Sequence, residues 1–414
     1  MTVRSMKNRW LALAIIFASF IQFTLNWFNI VPTFGSLMSE MHLTLPQIGV
    51  VIGMFIAGYG LAHIPGGMLA EAFGMRLAML SGIAVETLGT VISAAAHSYD
   101  VLLIGRFICG VGGSVYIGSA IGLTTAWFRD DELATANGLI TGVAFTVGAA
   151  LGLYVWTSVV AALGWREALM TGALLGAVTF VALLLLFPVP RDARDSAVGV
   201  AGSHLNVAAL RRIFGNRNLW ILGFSFVGGY GSYFTAAELM PAYAVQHLQS
   251  SREAAGILGV ILMMSGAVGS ALGGWLADRV FGVVPTIVGA LSIEAIALAL
   301  VPHLGPVGLQ IAGAVIGVAG FVGFVAWIAI PGLYREDVEL SDIPTACGLM
   351  LTIVATGGVA VPAVYGMVAA SHGYVSAWRM LGAVTFLTTL LCLLIRRPGV
   401  MTATGQVGAG AVFK

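Results

Sequence analysis

The chain has 414 residues, of which 59% are hydrophobic and 9% are charged, and its mean hydropathy is +0.97. A soluble globular protein carries about 25% charged residues, so this composition excludes a soluble domain and predicts an integral membrane protein. The formal net charge of +1 indicates no basic surface for nucleic acid. Cys109, Cys347 and Cys392 lie apart in apolar stretches, which indicates small buried residues rather than a metal site or disulfides.

Twelve apolar segments follow one another along the chain, and each is long enough to cross a hydrocarbon layer of about 30 Å. We number them spans 1 to 12, at about residues 10–34, 47–71, 76–96, 100–127, 133–162, 166–187, 218–245, 252–277, 283–302, 305–331, 344–370 and 374–395. Span 1 is too long for the core of a signal peptide and shows no cleavage site of small residues. The sequence therefore predicts an all-α integral membrane protein with twelve transmembrane helices.

One long hydrophilic segment separates the first six spans from the last six. It divides the chain into an N-terminal six-helix bundle, a cytoplasmic linker, a C-terminal six-helix bundle and a tail. These regions are predicted at residues 1–187, 188–217, 218–395 and 396–414. The tail is rich in Gly, Ala and Thr, and we predict that it is disordered and cytoplasmic.

The distribution of Lys and Arg predicts the orientation in the membrane. Of the 19 Lys and Arg residues, 15 fall in segments that share the side of the N-terminus, three fall on the opposite side, and Arg106 lies within span 4. Cytoplasmic loops carry the excess of Lys and Arg. We therefore expect a multi-pass protein of a prokaryotic inner membrane, with both termini in the cytoplasm.

Two related loops connect span 2 to span 3 and span 8 to span 9. The second reads GGWLADRVFG from Gly273 to Gly282, and the first, 207 residues earlier, reads GGMLAEAFG from Gly66 to Gly74. A carboxylate at a helix end beside an Arg can accept backbone N–H groups from a neighbouring helix start, where the positive end of the dipole favours it. Such a contact can hold two bundles together on one side of the membrane and release them. The segment LGAVTF also occurs in both halves.

These loops resemble the signature loop of the major facilitator superfamily, and the resemblance extends over about residues 10 to 395. It implies two pseudo-symmetric six-helix bundles around a central site, with spans 1, 4, 7 and 10 lining the cavity. It also implies that the loop residues Glu71, Arg76, Asp278 and Arg279 gate the transport cycle. The first copy departs from the second at Ala72, which stands in place of the Arg.

Charged residues inside a bilayer are costly and are functional hypotheses by default. Arg106 lies in the sequence GRFICGVGGS, which resembles the Arg and glycine-rich face of the family's fourth helix. Its guanidinium can hold an oxyanion at two points, and we predict that it binds substrate. The alternative is a helix brace that donates to backbone carbonyls.

Two residues are predicted to couple transport to protons. Glu238 lies in span 7, three residues before Pro241, and a carboxyl group in a low-dielectric site can hold a proton near neutral pH. Its alternative is an ordinary carboxylate at a wet helix end. His63 lies four residues after Tyr59 in span 2, and its alternative is a hydrogen bond between helices.

Further polar residues are candidates for substrate contact or packing. Asn26 and Asn29 lie three residues apart on one face of span 1, and Tyr230 and Tyr233 have the same spacing in span 7. We predict that these four bind substrate. Glu86 and Glu294 each follow a loop glycine by twelve residues, and this symmetry favours a structural role.

Together these features predict a secondary active transporter of a small solute, most simply a small organic anion taken up by symport with protons. No cofactor is expected; the partners are the small-molecule substrate, protons and the lipid bilayer, and we expect a monomer. The alternative is proton-driven efflux of drugs or other hydrophobic compounds, although span 5 lacks the Gly-Pro of the family's antiporter motif. The chain has no HExxH, GxSxG or GxxxxGK[ST] motif, which argues against an enzyme or an ATP-driven pump.

Overall fold

We analysed a computed structural model of the chain, which describes residues 3–128, 136, 138–188, 207–332, 338 and 343–395. Every regular element in these residues is helical. In the first half, the helices are Val3–Phe28 and Phe34–Glu40 (span 1), Leu45–Leu61 and His63–Phe73 (span 2), Met75–Ala94 (span 3), Tyr99–Trp127 (span 4), Gly138–Ala144, Phe145–Ala150, Leu151–Val155 and Trp156–Leu163 (span 5) and Trp165–Leu186 (span 6).

In the second half, spans 11 and 12 form one helical run that breaks at Gly373, where φ is 82°. The helices are Arg217–Ser225 and Val227–Leu248 (span 7), Arg252–Trp275 and Leu276–Val280 (span 8), Val283–Leu300 (span 9), Pro306–Ala329 (span 10) and Ile343–Thr389 (spans 11 and 12). A short helix, Val207–Gly215, occupies part of the predicted linker. The proposed domain boundaries stay a prediction.

The described helices agree with the predicted number of spans. Nine of them are long and apolar enough to cross a bilayer, and the two pieces of span 2, which are bent by 42° at their break, make a tenth. One of the nine contains both span 11 and span 12. Span 7 does not pass the same test because Tyr, Ser, Thr and Glu lower its hydropathy. These polar residues make span 7 a candidate to contribute to the functional site.

The two halves repeat in their backbone turns as well as in sequence. His42 and Gln249, which follow spans 1 and 7, lie 207 residues apart and both have φ of 54°. Glycines with positive φ begin spans 3 and 9, and another pair stands before spans 6 and 12. An L-residue at φ near 54° is uncommon. The shared strained turns therefore fix a register of 207 residues between the halves at spans 1 and 7.

Glycine allows the helices to approach closely, both within and between the halves. A methyl group built at Gly53 of span 2 would lie 2.8 Å from the carbonyl oxygen of Val359 in span 11. One built at Gly256 of span 8 would lie 2.9 Å from the ring of Tyr154 in span 5. Small residues drive helix packing in lipid because the backbones can then make van der Waals contact. The halves therefore touch at span 2 with 11 and at span 5 with 8.

We expect Gly112→Ala to destabilise the protein. The new methyl group would lie 2.6 Å from the carbonyl oxygen of Gly82 and 2.7 Å from the Cα of Glu86, both on span 3, and such overpacking costs about 1–3 kcal/mol. Gly118→Ala is the matched control on the same helix, since its methyl group meets nothing within 4 Å. Thermal unfolding in detergent should show a lower midpoint for the first variant and an unchanged or higher one for the second. Equal midpoints would contradict this packing.

Candidate functional site

Span 4 places Arg106 in the interior, where it is the one buried Lys or Arg of the described chain, with 2% of its surface exposed. Its Nη2 donates to the backbone carbonyl of Trp27 at 3.1 Å. Its guanidinium carbon lies 4.7 Å from the ring centroid of Phe55 in span 2, a cation–π distance. Its Nε is buried and has no hydrogen-bond partner among the described residues. The guanidinium is thus held by spans 1 and 2, but its hydrogen-bond donors are only partly used.

Aromatic rings from spans 1, 2, 5 and 7 form a cluster that contacts this cation through Phe55. Trp27 stacks on Phe234 with centroids 5.2 Å apart and planes 7° from parallel, and on Phe55 at 4.5 Å. We call the following residues the central aromatic cluster: Trp27, Phe55, Tyr59, Phe145, Tyr230 and Phe234. Trp27 and Phe234 are 207 residues apart, the register of the repeat at spans 1 and 7. Equivalent positions of the two halves therefore meet at this stack.

Glu238 faces the same place from span 7. Its side chain is 1% exposed, and both carboxylate oxygens are buried without a hydrogen-bond partner in the described structure. The indole N–H of Trp27 lies near this carboxylate without reaching hydrogen-bond geometry, and the Arg106 charge acts on it. Buried polar groups are normally hydrogen-bonded. Arg106 Nε, Trp27 Nε1 and both Glu238 oxygens are therefore unsatisfied polar atoms on neighbouring residues.

His63 lies close to the central aromatic cluster but is already engaged. Its Nδ1 and the hydroxyl of Ser114 in span 4 are 2.8 Å apart, and its ring meets the edge of Tyr59 at 4.5 Å. This is the interhelical bond that the sequence left open as the alternative to proton coupling. A coupling role for His63 stays a prediction.

The structure does not bring Asn26 and Asn29 together with Arg106. Both are fully buried, Asn26 Nδ2 donates to the carbonyl of Gly172 in span 6 at 3.2 Å, and Asn29 Nδ2 donates to Asn26 Oδ1 at 3.0 Å. Consecutive helix positions differ by about 100° in direction, so Asn26 faces span 6 while Trp27 faces span 7. In this conformation the two amides join span 1 to span 6.

The two tyrosines of span 7 also diverge. Tyr230 packs on Phe234 at 4.7 Å and belongs to the central aromatic cluster. The hydroxyl of Tyr233 instead donates to the sulfur of Met263 in span 8 at 3.6 Å, and its ring packs on span 10. Of this predicted pair, Tyr230 belongs to the central aromatic cluster, whereas Tyr233 lies near Glu294.

Glu86 and Glu294 are both fully buried but have different surroundings. Glu86 accepts from Nε2 of Gln22 at 3.3 Å and lies within electrostatic reach of Arg106. Glu294 has no hydrogen-bond partner in the described residues. Gly229 stands at the repeat position of Gln22, and its Cβ position would lie 3.8 Å from Glu294 Oε2. Both halves therefore contain the buried glutamate, but only the first half contains an amide, Gln22, that donates to it.

The predicted gating residues lie at helix ends on either side of the turns at Gly74 and Gly282. Arg76 Nη2 donates to the carbonyl of Leu184 in span 6 at 2.8 Å. Arg279 is exposed within Leu276–Val280. The side chains of Glu71 and Asp278 lie outside the described part of the chain. Gating therefore stays a prediction.

Sequence reasoning missed a polar cluster on the opposite side of the membrane. Glu40, at the end of span 1, accepts from Trp165 Nε1 at 2.6 Å and pairs with Arg166. Arg166 Nη2 also donates to the carbonyl of Ala96 after span 3 at 3.1 Å. The Trp-Arg pair that opens spans 6 and 12 is visible in the sequence. Its acidic partner lies too far along the chain to be found without the fold.

We expect Asn26→Ala to lower the thermal midpoint more than Asn29→Ala. The first change removes the bond to Gly172 and leaves Asn29 Nδ2 without its acceptor, whereas the second removes one bond only. An interhelical hydrogen bond in a membrane protein contributes about 0.6–2 kcal/mol. Unfolding of the two purified variants in one detergent checks the order. The reverse order, or no change in either, would contradict the structural role of Asn26.

Comparison with known proteins agrees with this architecture. A family model described as Major Facilitator Superfamily matches residues 15–338. The structure also resembles that of a bacterial homologue of the human lysosomal transporter Spinster, with a TM-score of 0.70, 16% identity, and coverage of 94% of this chain and 95% of the other. At that identity the likeness supports the fold alone.

Several curated transporters are similar in sequence. A probable sulfoacetate transporter of Cupriavidus necator is 27% identical over 66% of each chain. A probable L-galactonate transporter of Escherichia coli is 26% identical over 59% of this chain and 56% of its own. The matched segments cover less than two thirds of the length of these two relatives. A hexuronate transporter of Bacillus subtilis is 22% identical over 87% of this chain and 88% of its own.

The family match covers most of the chain, and the fold, the repeat and the related transporters agree with it. The chain is a multi-pass membrane protein and belongs to the major facilitator superfamily.

Proposed function

We propose that this transporter carries a small organic anion by symport with protons, with Arg106 as the anion anchor and Glu238 as the proton carrier. The observation that carries the proposal is the group of unsatisfied buried atoms: Arg106 Nε, Trp27 Nε1 and the two oxygens of Glu238. The first two are hydrogen-bond donors and suit an oxyanion. A buried polar atom without a partner costs about 1–3 kcal/mol. Binding of an anion would recover part of that cost.

Charge balance supports the coupling to protons. Glu238 and a bound anion would place two negative charges near the one guanidinium of Arg106. Taking a charge into a low-dielectric interior is favourable only when it is paired. A proton on Glu238 removes one negative charge as the anion arrives. It also turns the carboxyl into a donor for the anion, and Glu86 keeps its bond from Gln22.

The relatives support the anion class but not one substrate. Their names refer to sulfoacetate, galactonate and hexuronate, which are negatively charged at neutral pH. Gating by Glu71, Arg76, Asp278 and Arg279, a monomeric state and insertion in an inner membrane with cytoplasmic termini belong to the same proposal. They rest on the loop motif, the repeat and the distribution of Lys and Arg.

Efflux of hydrophobic compounds remains a second candidate because of one observation. The six rings of the central aromatic cluster form an apolar lining, and a methylenomycin A resistance protein of Bacillus subtilis is 23% identical over 48% of this chain. A hydrophobic neutral or cationic cargo would have no use for Arg106. The Arg106 experiment therefore separates the two candidates.

We expect Arg106→Lys to weaken anion uptake by roughly ten- to a hundredfold, because the ammonium keeps the charge but loses the planar fork, a loss of about 1–3 kcal/mol. Proteoliposomes with an inward proton gradient would be tested with labelled sulfoacetate, gluconate, glucuronate and benzenesulfonate. Arg166→Lys is the control, since Arg166 lies in the partly exposed polar cluster at Glu40. Normal uptake by Arg106→Lys would make Arg106 a helix brace.

We expect Glu238→Gln to abolish accumulation driven by a proton gradient and to spare exchange of labelled for unlabelled anion. The amide mimics the protonated acid, so the loaded carrier can still change conformation but cannot release a proton. Glu294→Gln is the matched control, because Glu294 is equally buried but lies beside Tyr233 and Gly229. Accumulation against a gradient by Glu238→Gln would exclude this residue as the proton carrier.

A further inference from the structure

The surroundings of Arg106 show what kind of anion fits beside it. Its Nη2 donates to the Trp27 carbonyl, the face of Phe55 lies 4.7 Å from the guanidinium, and Trp27 stacks on both Phe55 and Phe234. Glu86 and Glu238 are its acidic neighbours. Phe55 is fully buried, and Phe234 is 6% exposed. A ligand whose charged end reaches Arg106 therefore has its body among rings.

Amide side chains, the groups that usually bind ligand hydroxyls, face elsewhere. Asn26 and Asn29 lie against the backbone of span 6 at Gly172. Gln22 donates to Glu86 on span 3. All three belong to the face of span 1 that points away from Phe234. A polyhydroxylated acid at Arg106 would have to bury its hydroxyl groups beside rings, and an unpaired buried hydroxyl costs about 1–3 kcal/mol.

The polar atoms near Arg106 are enough to bind one charged group of a ligand, such as a single carboxylate. Arg106 Nε and Trp27 Nε1 can donate to the two oxygens of a single carboxylate, and Glu238 lies beside them. The hydroxyls of Tyr59 and Tyr230 belong to the same cluster. The other rings of the central aromatic cluster are Phe55, Phe145 and Phe234. Such a site has one polar end and an apolar remainder.

We infer that the substrate is an aromatic monocarboxylate about the size of benzoate, and not a polyhydroxylated sugar acid. Trp27 and Phe234 lie nearly parallel, at 7°, and they come from opposite halves. When the halves separate, a planar ring can take the place of one partner in this stack, where offset stacking contributes about 0.5–1.5 kcal/mol beyond area burial. This inference rests on the proposed function, since it requires Arg106 to hold the carboxylate.

The test is equilibrium binding to the purified full-length protein in detergent. Four probes are compared with one another: benzoate, cyclohexanecarboxylate, gluconate and benzamide. Benzamide lacks the charge of benzoate, cyclohexanecarboxylate lacks its planar ring, and gluconate is a polyhydroxylated acid. Benzoate should bind at least tenfold more tightly than gluconate and benzamide, and more tightly than cyclohexanecarboxylate. Arg106→Lys should weaken benzoate at least tenfold. Phe234→Leu should weaken benzoate and remove its advantage over cyclohexanecarboxylate, whereas Phe324→Leu, a ring of span 10 that packs on Phe226, should change neither.

The outcomes distinguish this inference from the proposal beneath it. Gluconate binding as tightly as benzoate, with Arg106→Lys weakening both, would overturn the aromatic class and leave anion transport standing. Benzoate and benzamide binding equally, with no effect of Arg106→Lys, would overturn the anion proposal itself. Equal binding of benzoate and cyclohexanecarboxylate would overturn the planar ring, as would binding of none of the three ring compounds. If Phe234→Leu does not fold, Phe234→Met tests the same stack, because it keeps most of the side-chain volume without the planar ring.

Discussion

The interior of this transporter depends on one buried cation that its own protein does not fully satisfy. Arg106 carries a permanent charge, and within the described contacts it has one backbone carbonyl, one aromatic face and an unpaired Nε. An unsatisfied charge in a low-dielectric interior makes any arriving anion bind more strongly than it would in water. In the proposed mechanism, protonation of Glu238, which lies beside Trp27, decides when the site is free to accept that anion.

The two halves share a repeated backbone, but their charged and polar residues differ. Both halves share the strained turns at His42 and Gln249, and Trp27 and Phe234 meet at equivalent positions. The polar residues are distributed unequally. Arg106 and the bond between Gln22 and Glu86 belong to the first half, while Glu238 belongs to the second. Because cation and acid lie in different halves, any motion that separates the halves also changes their distance.

Composition, span lengths and the two loop motifs predicted the membrane fold, and the cost of buried charge pointed to Arg106 and Glu238. The faces of the helices were not predictable in the same way. Polar residues recur on one face of span 1, at Gln22, Asn26 and Asn29, but this periodicity does not tell which neighbouring helix that face contacts. Asn26 looked like a ligand residue for this reason, and Trp27, its neighbour in sequence, was overlooked. The direction of each depends on where span 6 and span 7 lie, which is tertiary information.

Charge movement during transport by the wild-type protein is the sharpest test of whether Glu238 and the anion neutralise Arg106 in turn. If one guanidinium is neutralised in turn by Glu238 and by the anion, each monovalent anion enters with one proton and no net charge crosses the membrane. Proteoliposomes on a solid-supported membrane, given a step of whichever panel monoanion is transported at equal pH on both sides, would report current and internal pH together. The account predicts internal acidification in proportion to the anion and no steady current. A steady current of negative charge with constant internal pH would contradict it.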